Sequence, residues 1–170
     1  LAYFDIHKSV SPLAIQPINH LSDLLDVRKV SDLEYEVAVS GCWDVLYSTF
    51  TLNVQDDTLT HKNTIQHKNR SFCHGVRYQN NGEVWLALHT GRSPRIENEK
   101  KSWKLQSPWG ARDVFFNDEN TKIYAIAVSK SPRLEKNQNP SISIWSFDLN
   151  QKDTFFKKQK WVKLYELSDC

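Results

Sequence analysis

The sequence predicts an all-β chain built from tandem four-stranded units. Three observations carry that expectation. The first is a duplication: Ser93-Pro94-Arg95-Ile96-Glu97 recurs as Ser131-Pro132-Arg133-Leu134-Glu135, an offset of 38 residues. The same offset pairs Val76 with Val114, Ala87 with Ala125 and Arg92 with Lys130, and a fixed period of this size marks a repeat architecture. The second is a series of short apolar runs separated by Asn, Gly and Pro turns. The third is composition: eight Phe, six Tyr and six Trp against five Gly in 170 residues suit pleated, half-buried surfaces better than helices.

The units can be read in chain order. Tyr3-Phe4-Asp5-Ile6 resembles Ser146-Phe147-Asp148-Leu149, which makes residues 1–18 the last two strands of a unit whose beginning is absent. Residues 21–66 form the first full unit. Its inner strand is Leu21 to Val30, although Leu21, Leu24, Leu25 and Arg28 also fit a 3.6-residue period and leave a short helix as the alternative. Tyr35 to Ser40 echoes Tyr124 to Ser129 as a second strand, Trp43 to Leu52 alternates as a third, and Leu59 to Gln66 is the fourth.

Residues 72–106 form the next unit. Cys73 to Gln79 is a strand, and Asn80-Asn81-Gly82 is a tight turn of residues that tolerate positive φ. Val84-Trp85-Leu86-Ala87-Leu88 scarcely alternates, as expected of a strand covered on both faces. Arg95 to Glu99 is a polar third strand and Trp103 to Gln106 a short fourth. The last unit, 110–167, repeats this with Arg112 to Phe116, a turn at Asn117 to Thr121, then Ile123 to Ser129, Ser141 to Asp148 and Trp161 to Leu167. Twisted sheets that cannot bury both faces alone gain the missing contacts by stacking. The expectation is therefore about three and a half four-stranded propeller-type blades in a single β-repeat domain.

Composition narrows the function. A formal charge of +2 is too balanced to indicate nucleic acid, and no apolar stretch approaches the roughly 20 residues that span a bilayer. The chain opens on Leu1 and has no Met, so it reads as a processed product or a piece of something longer. Cys42, Cys73 and Cys170 lack metal-ligand spacing and read as thiols, two in the core and one at a tail, with a Cys42–Cys73 disulfide as the alternative. The sequon Asn69-Arg70-Ser71 is too common by chance to assign a compartment.

The run from Cys73 to Tyr78, a Gly turn and then Val84 to Ala87 resembles a blade of NHL-type and related propellers. Ser143-Ile144-Trp145-Ser146-Phe147-Asp148-Leu149 is similar to the third strand of a WD40 blade. The resemblance concerns architecture alone: the regular Gly-His and Trp-Asp pairs of WD40 repeats are missing, and Trp43-Asp44 falls at the start of a third strand. Gly41-Cys42-Trp43 followed by Tyr47 also looks like the opening of a lipocalin-like β-barrel, which implies a small apolar ligand held in a cup. That fold does not account for the 38-residue duplication.

In a propeller the loops that enter first strands and those that join second to third strands share one face. His74, Arg77, Arg112 and Asp113 are expected near the channel mouth, with His89, Arg92, Arg95, Lys130 and Arg133 on the same face. Guanidinium groups in such a ring suit carboxylates, phosphates or an acidic protein, while Ser-Pro-Arg as a solvated turn explains the same residues structurally. His74 and Asp113 stand at near-equivalent positions, which raises the question of a base and its orienter or of a metal site. No nucleophile elbow, HExxH or Gly-rich phosphate loop accompanies them, and no cofactor is implied. Trp103 and Trp109 flank a short strand and a Pro turn, so they are candidates for stacking on a sugar or for packing between blades. The expected function is a non-catalytic binding module that recognises a protein or peptide through a propeller face. A carbohydrate-binding protein is the alternative. Because three and a half blades leave open edges, a partner chain or a second copy completing a seven-bladed ring is expected.

Overall fold

The apolar runs that turn residues mark out become strands. A computed structural model describes residues 1–3, 12, 14–18, 24–41, 46–66, 72–89, 94–105, 110–128, 141–150 and 160–168, and among these the regular structure is strand throughout. At the start, β1 (Ala2–Tyr3) pairs antiparallel with β2 (Ala14–Ile15). The first full sheet is β3 (Leu24–Lys29), β4 (Glu34–Ser40), β5 (Leu46–Asn53) and β6 (Thr58–Gln66). The second is β7 (Phe72–Tyr78), β8 (Val84–His89), β9 (Arg95–Glu97) and β10 (Ser102–Lys104). The third is β11 (Gly110–Phe116), β12 (Lys122–Val128), β13 (Ser141–Asp148) and β14 (Val162–Ser168). Each is an antiparallel meander whose strand order follows the chain.

Residues 24–29 are a strand, not a helix, and their burial alternates along β3 as a period of two demands. No closed barrel forms among the described strands: pairing ends at the margins of each four-stranded sheet. The lipocalin-like barrel is corrected on that ground. Gly41 follows the end of β4, while Cys42 and Trp43 lie outside the described residues.

The repeat can be followed residue by residue. In the second sheet the first turn closes with Gly82 N–H donating to the Gln79 carbonyl at 2.9 Å; in the third, Asn120 N–H donates to Asn117 at 2.9 Å. Gly82 (φ 88) and Asn120 (φ 54) both occupy the left-handed region, which Gly and Asn enter at least cost. Thr121 is then an inserted residue: Gln79 N–H closes onto Glu83, whereas Asn117 N–H closes onto Lys122. First strands thus keep the 38-residue offset, but second strands run one further, so Ala125, opposite Val114, corresponds to Leu86, opposite Val76. The expected pairing of Ala87 with Ala125 is one residue out. In a strand, one residue exchanges the two faces.

Stacking follows the first two strands of each sheet. β7 lies against β3 and β4, and β11 against β7 and β8. Between the first and second sheets pack Ala38, Tyr47, Cys73, Val76, Leu86 and Leu88. Between the second and third lie Trp85, Ile96, Val114, Ile123, Trp145 and Phe147. Trp85 is 2% exposed and stacks on Trp103 with ring centroids 5.0 Å apart and planes at 16°. Phe147 meets Trp103 edge-on at 5.7 Å and Trp161 at 5.1 Å. Each such side chain withdrawn from water contributes about 1.5–3 kcal/mol, so aromatic packing dominates this second seam.

Candidate functional site

The first two strands of the second sheet and the first strand of the third carry His74, Arg77, His89, Arg112 and Asp113. Two β-bulges place them. Pairing of β7 with β8 slips between Cys73 and Gly75, and pairing of β11 with β12 slips between Ala111 and Asp113. The bulged residues are therefore His74 and Arg112, 38 positions apart. A bulge re-aims its side chain, and here two equivalent bulges bring their side chains together. Arg112 Nη1 lies 3.1 Å from Nδ1 and 3.3 Å from Nε2 of His74. An atom so near both ring nitrogens sits over the ring, so Arg112 directs an N–H at the imidazole of His74. His89, at the end of β8, places its ring 5.4 Å from that of His74, tilted by 58°. Gly110 makes room for it: a Cβ there would stand 2.7 Å from His89 Nδ1.

Arg77 and Asp113 form a second cluster. Arg77 Nη2 donates to Asp113 Oδ2 at 2.7 Å, and Nη1 lies 3.9 Å from Asp26 Oδ1. Asp26 also accepts from the backbone N–H of Tyr78 at 2.7 Å. One guanidinium on the middle sheet thus sits between carboxylates from the sheets on either side. Burial pushes the Asp113 carboxyl above its ordinary range. The Val114 N–H and Arg77 pull it down, Asp26 adds to the rise, and the balance stays upward. Close approach of β7 and β11 depends on Gly75, where a Cβ would stand 2.9 Å from Asp113 Cα and 3.0 Å from the Arg112 carbonyl oxygen.

The remaining candidates are dispersed. Arg95, half-buried on β9, donates to Ser102 Oγ at 3.2 Å. Trp103 faces the Trp85 stack and borders a groove of 290 Å³ that Gln79, Asn81, Asn98 and Asn120 also line. Arg133 and Trp109 lie outside the described residues, as do Arg92 and Lys130. The pairs that form around the former His74–Asp113 candidates are Arg112 on His74 and Arg77 on Asp113. No group of three or more His, Cys, Asp or Glu able to hold a metal occurs among the described residues.

Sequence reasoning missed Asp26, whose polar partners Arg77 and Tyr78 stand 51 and 52 residues downstream, and missed a cleft of 440 Å³ between the first two sheets. Tyr47, Leu86, Glu97 and Glu99 line the cleft, and Tyr47 Oη donates to Glu99 Oε1 at 3.3 Å. Burial, reinforced by the charges of Glu99 and Glu97, pushes the Tyr47 phenol up, so it stays protonated. Glu97 is 2% exposed; the polar run Arg95 to Glu99 gave no sign of that. No protein-family model matches the chain, and no curated protein is significantly similar to it.

Proposed function

We propose that the chain is a non-catalytic binding module whose three sheets act as propeller-type blades and whose inner rim recognises a protein or peptide within a larger assembly. The observation that supports this most is the pair of equivalent bulges. Loops and bulges that hold polar side chains on a rigid scaffold are where binding groups are commonly carried. His74, His89 and Arg112 converge at the rim from three strands. Arg77, beside Asp26 and Asp113, fixes the inner strands beneath it. A guanidinium held over an imidazole is pre-oriented, and its planar fork suits a carboxylate. The recognised group is therefore an acidic side chain or a terminal carboxylate.

The test is selection of 15-residue peptides on the immobilised chain. Enriched sequences are expected to carry Asp, Glu or an essential C-terminal carboxylate, and to bind Arg112→Ala at least tenfold more weakly while its thermal midpoint stays unchanged. Absence of any enriched sequence, or equal binding by Arg112→Ala, contradicts the reading. The groove beside Trp103, lined by four side-chain amides, supports carbohydrate binding as the second reading. Glycan-array binding abolished by Asn98→Ala favours it over the first.

A further inference from the structure

We infer that the exposed inner strip of the first sheet, at Leu25 and Val27, is the seat of an antiparallel pair of strands donated by a partner polypeptide. Three corresponding residues carry the case. Counting back from the last pair of each first hairpin (Lys29 with Tyr35, Tyr78 with Val84, Phe116 with Ile123), Val27, Val76 and Val114 all stand two residues earlier. Val76 is 1% exposed and Val114 0%, yet Val27 is 48% exposed and its neighbour Leu25 49%. What buries the first two is known. β3 and β4 lie against β7, and Ala38 and Leu24 pack with Val76. β7 and β8 lie against β11, and Trp85 and Ala87 pack with Val114. In both cases the cover is the inner strand pair of the preceding sheet.

Among the described residues, what precedes the first sheet is the two-stranded β1–β2 ladder. It covers the outer part of the same face: Leu1 and Ile18 pack on Val37, Val39, Phe50 and Leu59. Cover stops between β4 and β3. Val37, directly opposite Val27, is 5% exposed, and Val39, opposite Leu25, is 2% exposed. A lone two-strand ladder is marginal in water, and beside it Leu25 and Val27 present an exposed apolar strip. A strand pair with alternating apolar residues would add to that ladder edgewise and bury the strip, as in β-augmentation. A second copy of the chain is a poorer occupant of this strip than a separate strand pair. It brings another β1–β2 ladder and complete sheets, not a loose inner pair.

This surface is separate from the rim at Arg112, so its failure leaves the peptide-selection result standing. The probe is a synthetic peptide of residues 24–40, the strand pair that buries Val76 in the intact chain, titrated into the full chain by calorimetry. One peptide per chain is expected to bind. Val27→Asp or, as an independent variant, Leu25→Lys should weaken binding at least tenfold, while Ile144→Asp on the third sheet leaves it unchanged. Binding that ignores both substitutions, or no binding at 1 mM peptide, overturns the inference. So does a dimer of the chain alone that Val27→Asp dissociates, because a second copy would then occupy the strip.

Discussion

Arg77 on β7 and Asp113 on β11 join the second and third sheets through an ion pair of 2.7 Å, and the same guanidinium leans toward Asp26 of the first. Both partners are less than a third exposed. Removing the cation leaves two carboxylates facing each other across the seam. Arg77→Met is expected to lower unfolding free energy by about 2 kcal/mol, less than the roughly 3–5 kcal/mol of a fully buried pair. Urea denaturation checks it; an unchanged midpoint refutes it.

Gly75 and Gly110 both permit close approach, but at different cost. A Cβ at Gly75 meets the backbone of Asp113 and Arg112, which cannot turn aside. Gly75→Ala should therefore cost about 2 kcal/mol, as overpacking does. At Gly110 the nearest atom belongs to the His89 side chain. That ring can rotate, so Gly110→Ala should cost less than Gly75→Ala. Thermal unfolding of the two variants ranks them, and the reverse order refutes the seam geometry.

The turn residues make a third test. Gly82 sits at φ 88, where a β-carbon is strained, and the Arg28 guanidinium stands 2.8 Å from where that carbon would be. Gly82→Ala is expected to cost about 1 kcal/mol, with Gly82→Asn costing less. Asn120 holds the corresponding position at φ 54, so Asn120→Gly should be close to neutral. Equal losses for all three would mean the two turns are not equivalent.

Glu36 predicts a pH dependence. Burial raises its carboxyl pKa, but hydrogen bonds and charge from Arg28 and Lys62 outweigh that and hold it below the ordinary 4.5. A depressed folded pKa means stability present above the unfolded value and lost as pH falls through the folded one. Asp113, raised by burial, has the opposite sign: its contribution is present below the ordinary 3.8 and lost as pH rises through its folded pKa. Urea midpoints measured between about pH 3 and 7 should fall less steeply on acidification in Glu36→Gln and more steeply in Asp113→Asn. A slope unchanged by Glu36→Gln refutes the pairing.

Local pattern carried most of the fold. Val84 to Leu88 announced a strand covered on both faces, and burial of all five residues follows. Ser141 to Asp148 announced alternation, and its burial alternates. Asn80 to Gly82 announced a left-handed turn. What local pattern could not carry was register beyond an insertion. Thr121 shifts the second strand by one residue, and nothing in the spacing distinguishes that from an unbroken 38-residue period. Sites suffered more. His74 and Arg112 were visible as polar residues on first strands, but their contact depends on two bulges. The Asp26–Arg77–Asp113 bridge depends on stacking of three sheets. Glu97 looked solvated because its neighbours are charged, yet it faces the first sheet from within the second.

A double-mutant cycle on Arg77 and Asp113, read by urea unfolding of the wild-type chain, Arg77→Met, Asp113→Asn and the double variant, tests the stacking of inner strands most directly. If β7 and β11 share a seam, the two substitutions couple by about 1–2 kcal/mol, within the range for residues in contact. Additive losses, with a coupling indistinguishable from zero, would place these strands apart and remove the surface on which the proposed binding rests.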